Sequence, residues 1–135
     1  MNPVLLDTHA LVWQLEDHGQ LGRQAARRAD AAASIGLLLV SAMTFWEAAM
    51  LAQRGRLALT QPAGSWRLRV LELGVLEIPV SGDIGVLAAE LEGFPADPAD
   101  RIITATAMAQ GATLITADAG ILGWNGTLER HDARK

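Results

Sequence analysis

The stretch from Ile35 to Val40 carries no polar side chain, and Ser41 follows it at once. It is far shorter than the roughly 20 residues a membrane span needs. It therefore reads as a strand buried on both faces, and such strands belong to parallel sheets covered by helices on each side. Ser41 suits a helix N-cap, with the helix running over Ala42–Arg54 and ending at Gly55.

The same alternation recurs along the chain. Pro3-Val4-Leu5-Leu6 reads as a short buried strand ending at Asp7, and Thr8–Leu15 as a helix with Leu11, Val12 and Leu15 on one face. Arg23–Ala33 is rich in alanine and free of breakers, which predicts a second helix. Pro62 opens another helical stretch that runs to about Leu73 and ends at Gly74. Val75–Val80 reads as a strand, and Pro79 late in it places it near a sheet edge. Ser81 caps a short helix over Asp83–Leu91. Asp97-Pro98-Ala99-Asp100 is a helix start: Asp97 fits the N-cap and Pro98 the first helical position. That helix extends to Gln110. A strand follows at Thr113–Thr116, Asn125-Gly126 signals a turn, and a last short strand is expected at Thr127-Leu128. With no internal repeat or linker, the pattern predicts one domain over residues 1–135. Its fold class is α/β, a three-layer sandwich around a central, mostly parallel sheet.

Half of the residues are hydrophobic and 19% are charged, enough apolar material for a buried core. Four Trp, two Phe and no Tyr leave that core largely aliphatic. The absence of cysteine excludes a disulfide framework and a Cys-based zinc site, and it suits a cytoplasmic protein. Asp7 interrupts the apolar start too early for a secretory signal. A net charge of −4 argues against RNA binding by bulk electrostatics. Basic charge is nearly all arginine, since the only lysine is Lys135. Arginine suits bidentate contact with phosphate.

Four acids fall where one site can use them. Asp7 ends the first strand, Asp118 lies just beyond a later one, Asp100 sits in a first helical turn, and Glu47 lies about two turns into its helix. In open parallel sheets the ligand crevice lies outside the carboxyl ends of the strands. Two carboxylates about 4 Å apart repel by roughly 4 kcal/mol at an effective dielectric near 20. Such a cluster takes up protons or a cation. An all-oxygen set suits Mg²⁺ or Mn²⁺, which can bind a phosphate oxygen and activate water.

Each acid also has a structural reading. Asp7 can cap the Thr8 helix, and Thr44-x-x-Glu47 matches a capping box, although Ser41 is the better placed cap. Asp100 can complement a helix dipole, and Asp118 can be a turn residue. Asp97 is read as a helix cap first and an assisting acid second. His9 is read as structural or partner-facing; His18 and His131 lie in polar stretches. Trp13, Trp46 and Trp66 read as core or interface, with Trp46 packing beside Glu47. Arg27 and Arg28 read as solvated surface. Arg54 and Arg56 are the first candidates for RNA phosphate contact. The acids alone leave three other readings open. These are a catalytically silent RNA- or protein-binding module, a metal-dependent phosphatase, and a phosphoacceptor domain, the last disfavoured because the only lysine is Lys135.

Leu5-Leu6-Asp7-Thr8-His9-Ala10-Leu11-Val12-Trp13 resembles the opening motif of PIN-domain proteins, specifically VapC-type toxins of bacterial toxin–antitoxin pairs. Ser41–Leu57, Phe94–Arg101 and Leu114–Asp118 are similar to the family's second, third and fourth acidic segments. Ala96 and Ala99 stand where some relatives carry His and a bulky aromatic. The resemblance spans about Val4 to Leu122. It implies a Mg²⁺- or Mn²⁺-dependent endoribonuclease with Asp7, Glu47, Asp100 and Asp118 as metal-binding acids, Thr116 assisting. It also implies a homodimer and a cognate antitoxin that blocks the site.

Overall fold

Alternate residues of the central strands point to opposite sides of one sheet, and two apolar layers follow from that. Val4 and Leu6, Leu38 and Val40, and Ile115 pack with Leu11, Ala25, Trp66 and Val70 on one face. Leu5, Leu39 and Leu114 pack with Phe94, Ile103, Ala107, Ile121 and Trp124 on the other. This period-2 division of a fully buried strand is what makes a three-layer sandwich. The computed structural model describes residues 2–16 and 19–135. His18, read above as a polar-stretch residue, lies outside the described residues.

In chain order the elements are β1 (Val4–Leu6), α1 (Thr8–Leu15), α2 (Arg23–Ser34), β2 (Leu38–Ser41), α3 (Ala42–Gln53), α4 (Ala63–Glu72), β3 (Leu76–Ile78), α5 (Gly82–Ala89), α6 (Pro98–Ala109), β4 (Thr113–Thr116), α7 (Ala119–Leu122) and β5 (Arg130–Asp132). The strands lie in the order β3-β2-β1-β4-β5, and all four pairings are parallel. The α/β sandwich read from the sequence is therefore present, and β3 occupies an edge as Pro79 indicated. None of the helices among the described residues is long and apolar enough to cross a membrane.

Two local expectations are corrected. The apolar run from Ile35 does not begin β2: Ile35 caps the end of α2, Gly36 turns the chain at φ 73°, and Ile35 is left 50% exposed. The last strand is Arg130–Asp132, not Thr127-Leu128. The intervening segment wraps Trp124 instead. A Cβ on Gly126 would collide with the Trp124 ring, Leu128 packs into the second core, and the Arg130 guanidinium donates to the carbonyls of Ile121 and Trp124. Of the tryptophans read as core or interface, Trp66 is fully buried and donates through Nε1 to Glu16 at 3.0 Å, whereas Trp46 is 58% exposed, which leaves it the interface reading alone.

Candidate active-site cleft

Parallel strands bring their carboxyl ends to one edge, and the acids collect there. Asp7 follows β1 and caps α1. It is 7% exposed, and its carboxylate accepts from Thr8 N at 2.8 Å and from Thr116 Oγ1 at 2.6 Å. Thr116, at the end of β4, also accepts from Asp118 N at 3.1 Å. One hydroxyl thus joins two acids from different parts of the chain. Asp118 caps α7, a turn of helix absent from the sequence reading, by accepting from Ile121 N at 2.9 Å.

On the adjoining side, Ser41 caps α3 by accepting from Met43 N. Thr44 instead meets Thr8, Oγ1 to Oγ1, at 3.0 Å. The capping-box reading of Glu47 therefore fails, and its carboxylate turns to the cleft. Asp97 caps α6 by accepting from Asp100 N at 3.0 Å, as its position before Pro98 indicated. Capping does not remove it from the acids: carboxylate oxygens of Glu47, Asp97 and Asp100 lie within 4.8 Å of one another. Asp97 is thus more closely grouped with Glu47 and Asp100 than the sequence suggested.

All five acids line one cleft of about 500 Å³, shared with His9, Trp13, Arg54, Arg56 and Arg134. Burial followed by the charges of Asp7, Asp97, Asp118 and Glu47 pushes the Asp100 carboxyl up to about 8. Burial also raises Asp7, against the lowering effect of Thr116 and Thr8. Burial raises Glu47 too, reinforced by Asp7 and Asp97 and opposed by Thr8 and His9. A cleft that pushes protons onto its acids is one that a cation stabilises.

The consequence for stability has a definite sign. Asp100 holds a proton up to about pH 8 in the folded chain but releases it near 3.8 when unfolded. The folded state is therefore favoured at low pH, and that advantage is lost as pH rises through this window. In a chelator, the melting temperature should fall between about pH 5 and pH 8 and level off above it. Asp100→Asn should flatten the decline; an unchanged decline in that variant would assign it to another group.

Arg134 is the cleft residue the sequence did not reveal. It sits in a polar stretch without periodicity, and the pairing of β5 with β4 brings it to the cleft. Trp13 lines the cleft too, on the face of α1 beside His9, with their ring centroids 6.3 Å apart. His131 stands on β5 and is not among the cleft residues.

From residue 4 to residue 122 the sequence matches the family profile of the PIN domain. This chain belongs to the PIN domain family. The PIN domain here is 35% identical over 119 residues to Ribonuclease VapC22 of Mycobacterium tuberculosis (strain ATCC 25618 / H37Rv), spanning 87% of this chain and 88% of that protein. Its fold is similar to that in VapBC2 from Rickettsia felis bound to a DNA fragment from their promoter. There the TM-score is 0.67 at 18% identity, over 96% of this chain and 98% of that one. It is also similar to a toxin-antitoxin complex from Klebsiella pneumoniae, with a TM-score of 0.63 at 21% identity over 96% and 97% of the two chains.

Proposed function

We propose that this PIN domain is a divalent-metal-dependent endoribonuclease, the toxin of a bacterial toxin–antitoxin pair, hydrolysing RNA phosphodiesters. The observation that carries the reading is the convergence of five carboxylates on one cleft, in a chain 35% identical to a ribonuclease over most of its length. The donor set fits the ion the reading requires. It is all oxygen, Glu47, Asp97 and Asp100 already stand within 4.8 Å of one another, and burial followed by the neighbouring charges raises the Asp100 carboxyl to about 8.

Asp7 and Asp100 are assigned as principal ligands of Mg²⁺ or Mn²⁺, with Glu47 and Asp118 holding the ion directly or through water. When bound, such an ion supplies Lewis acidity at a phosphate oxygen and makes water a competent nucleophile. The chain's own residues do the rest. Thr116 and Thr8 N fix the Asp7 carboxylate in one orientation, so it needs little reordering to act. Thr116 holds Asp118 in register with Asp7. Asp97 fixes the first turn of α6, and with it Asp100. Asp100 releases its proton as the cleft gains positive charge. Arg54 and Arg56, exposed where they line the cleft, neutralise RNA phosphates that the net charge of −4 would otherwise repel.

A cognate antitoxin and a homodimer belong to the same reading. Its support is that similar folds occur in a toxin-antitoxin complex and in VapBC2. An arginine side chain entering the acid cleft is a chemically sensible means of inhibition. Expressed alone, the chain should arrest growth, and co-expression of the neighbouring reading frame should restore it. The purified protein should cleave single-stranded RNA in Mg²⁺ or Mn²⁺, lose that activity in EDTA, and leave phosphomonoesters intact. Hydrolysis of phosphomonoesters with RNA untouched would overturn the reading in favour of a phosphatase.

A further inference from the structure

Arg134 is built into the cleft from several directions. Gly22 N donates to Ala133 O at 2.7 Å, and Gln24 N donates to Lys135 O at 2.8 Å, so the backbone is held on both sides of it. Arg134 N donates to Asp132 Oδ1 at 2.9 Å. A Cβ on Gly22 would collide with the Arg134 and Lys135 backbone, which shows how closely this segment lies on the start of α2. The guanidinium stacks over the Trp13 ring at 5.5 Å, and Nη1 donates to Ala117 O at 2.8 Å.

Among the described residues no carboxylate oxygen lies within 4.0 Å of this guanidinium, although five acids share its cleft. Its charge is therefore not consumed by an ion pair. An aromatic face and one carbonyl hold the plane of the fork, and its other N–H groups remain at the cleft. A planar, pre-oriented guanidinium with unused donors suits bidentate contact with a phosphate. Holding it in place beforehand removes much of the entropy cost of binding. A flexible surface arginine has no such supports.

We infer that Arg134, mounted on Trp13, binds a non-scissile phosphate of the RNA backbone at the mouth of the acid cleft. The inference rests on the ribonuclease reading above and adds a substrate contact to it. A contact made equally in the ground and transition states raises KM and leaves kcat nearly unchanged.

The test is the cleavage kinetics of an unphosphorylated single-stranded RNA oligonucleotide across a KCl series, for the unaltered chain, Arg134→Gln and Arg134→Lys. Arg134→Gln should raise KM by about tenfold, as expected for losing a charge-assisted hydrogen bond. The slope of log(kcat/KM) against log[KCl] should become shallower by about 0.7, one single-strand phosphate. Arg134→Lys should keep the slope and recover part of the affinity, because it keeps the charge and loses the fork. A merely structural role does not move the salt slope. Melting temperatures of the variants identify any loss of fold, and if Arg134→Gln unfolds, Arg134→Lys carries the test through a raised KM at unchanged kcat. If KM and slope stay unchanged in both variants, or if kcat falls at constant KM, the inference is overturned while the ribonuclease reading stands. If the unaltered chain does not cleave RNA, that reading fails, and this inference fails with it.

Discussion

Replacing Asp7 with Asn is expected to reduce RNA cleavage in Mg²⁺ by about three orders of magnitude, or roughly 4 kcal/mol of transition-state stabilisation. The substitution preserves shape in a buried position, where the carboxylate is held by Thr8 N and Thr116 Oγ1. The Asn oxygen can keep the bond from Thr8 N. Its amide must face Thr116 Oγ1, which already accepts from Asp118 N, so local reorganisation is confined to that hydroxyl. Fold stability should change little or increase, because burial penalises the ionised Asp7 carboxylate and the amide that replaces it carries no charge. Asp100 should titrate lower in the variant, since Asp7 is the leading charge that raises it after burial. The measurement is kcat/KM on RNA beside a melting curve. Activity within threefold of the unaltered chain would sink the metal-site proposal. Growth arrest that persists without cleavage would identify a silent binding module.

Arg101→Ala should produce the largest stability loss near the site, about 3 kcal/mol, or a fall in melting temperature of roughly 10 °C. Nε donates to Pro95 O at 2.9 Å and Nη2 to Phe94 O at 2.9 Å. Nη1 reaches Ala88, Ala89 and Leu91 carbonyls at 3.0, 3.4 and 3.3 Å. The guanidinium also lies over the Phe94 ring at 5.8 Å. One cation therefore satisfies the last carbonyls of α5 and the loop that delivers Asp97 to the start of α6. Removing it leaves several carbonyls without a partner and loosens that loop. Cleavage should fall with stability, because Asp97 and Asp100 would lose their fixed approach to Glu47. Lysine should not rescue the variant, since an ammonium cannot span the same planar set of acceptors. Denaturant unfolding gives the stability change. A loss below about 1 kcal/mol would show that water replaces the clamp.

Much of the fold could be read from short-range chemistry. Ser41, Ser81 and Asp97 have the side chains and positions of N-caps, and each accepts a backbone N–H from two or three residues on. Thr8–Leu15 and the α6 start at Pro98 were placed correctly because capping and proline geometry act within a few residues. Errors arose where an apolar run continued past its element. Ile35 is as hydrophobic as Leu39, yet Gly36 turns the chain between them. The start of β5 depended on how the preceding segment wraps Trp124, which no local pattern signals. Nothing in the sequence around Asp118 distinguished a turn from the short α7.

The acid cluster divides along the same line. Residue types and their junction positions came from the chain order: Asp7 after a strand, Asp100 in a first helical turn, Asp118 just past the Thr113–Thr116 strand. Their grouping did not. Thr116 bonds Asp7 across 109 residues, and that contact exists because β4 lies beside β1 in parallel register. Asp97 serves as cap and cluster member together because α6 starts where α3 presents Glu47. Arg134 enters because β5 pairs with β4 and the following residues bond to Gly22 and Gln24. Local propensity acts over one or two turns, whereas strand order and register act over the whole chain. The first sets which residues cap, bend and bury; the second sets which charges meet.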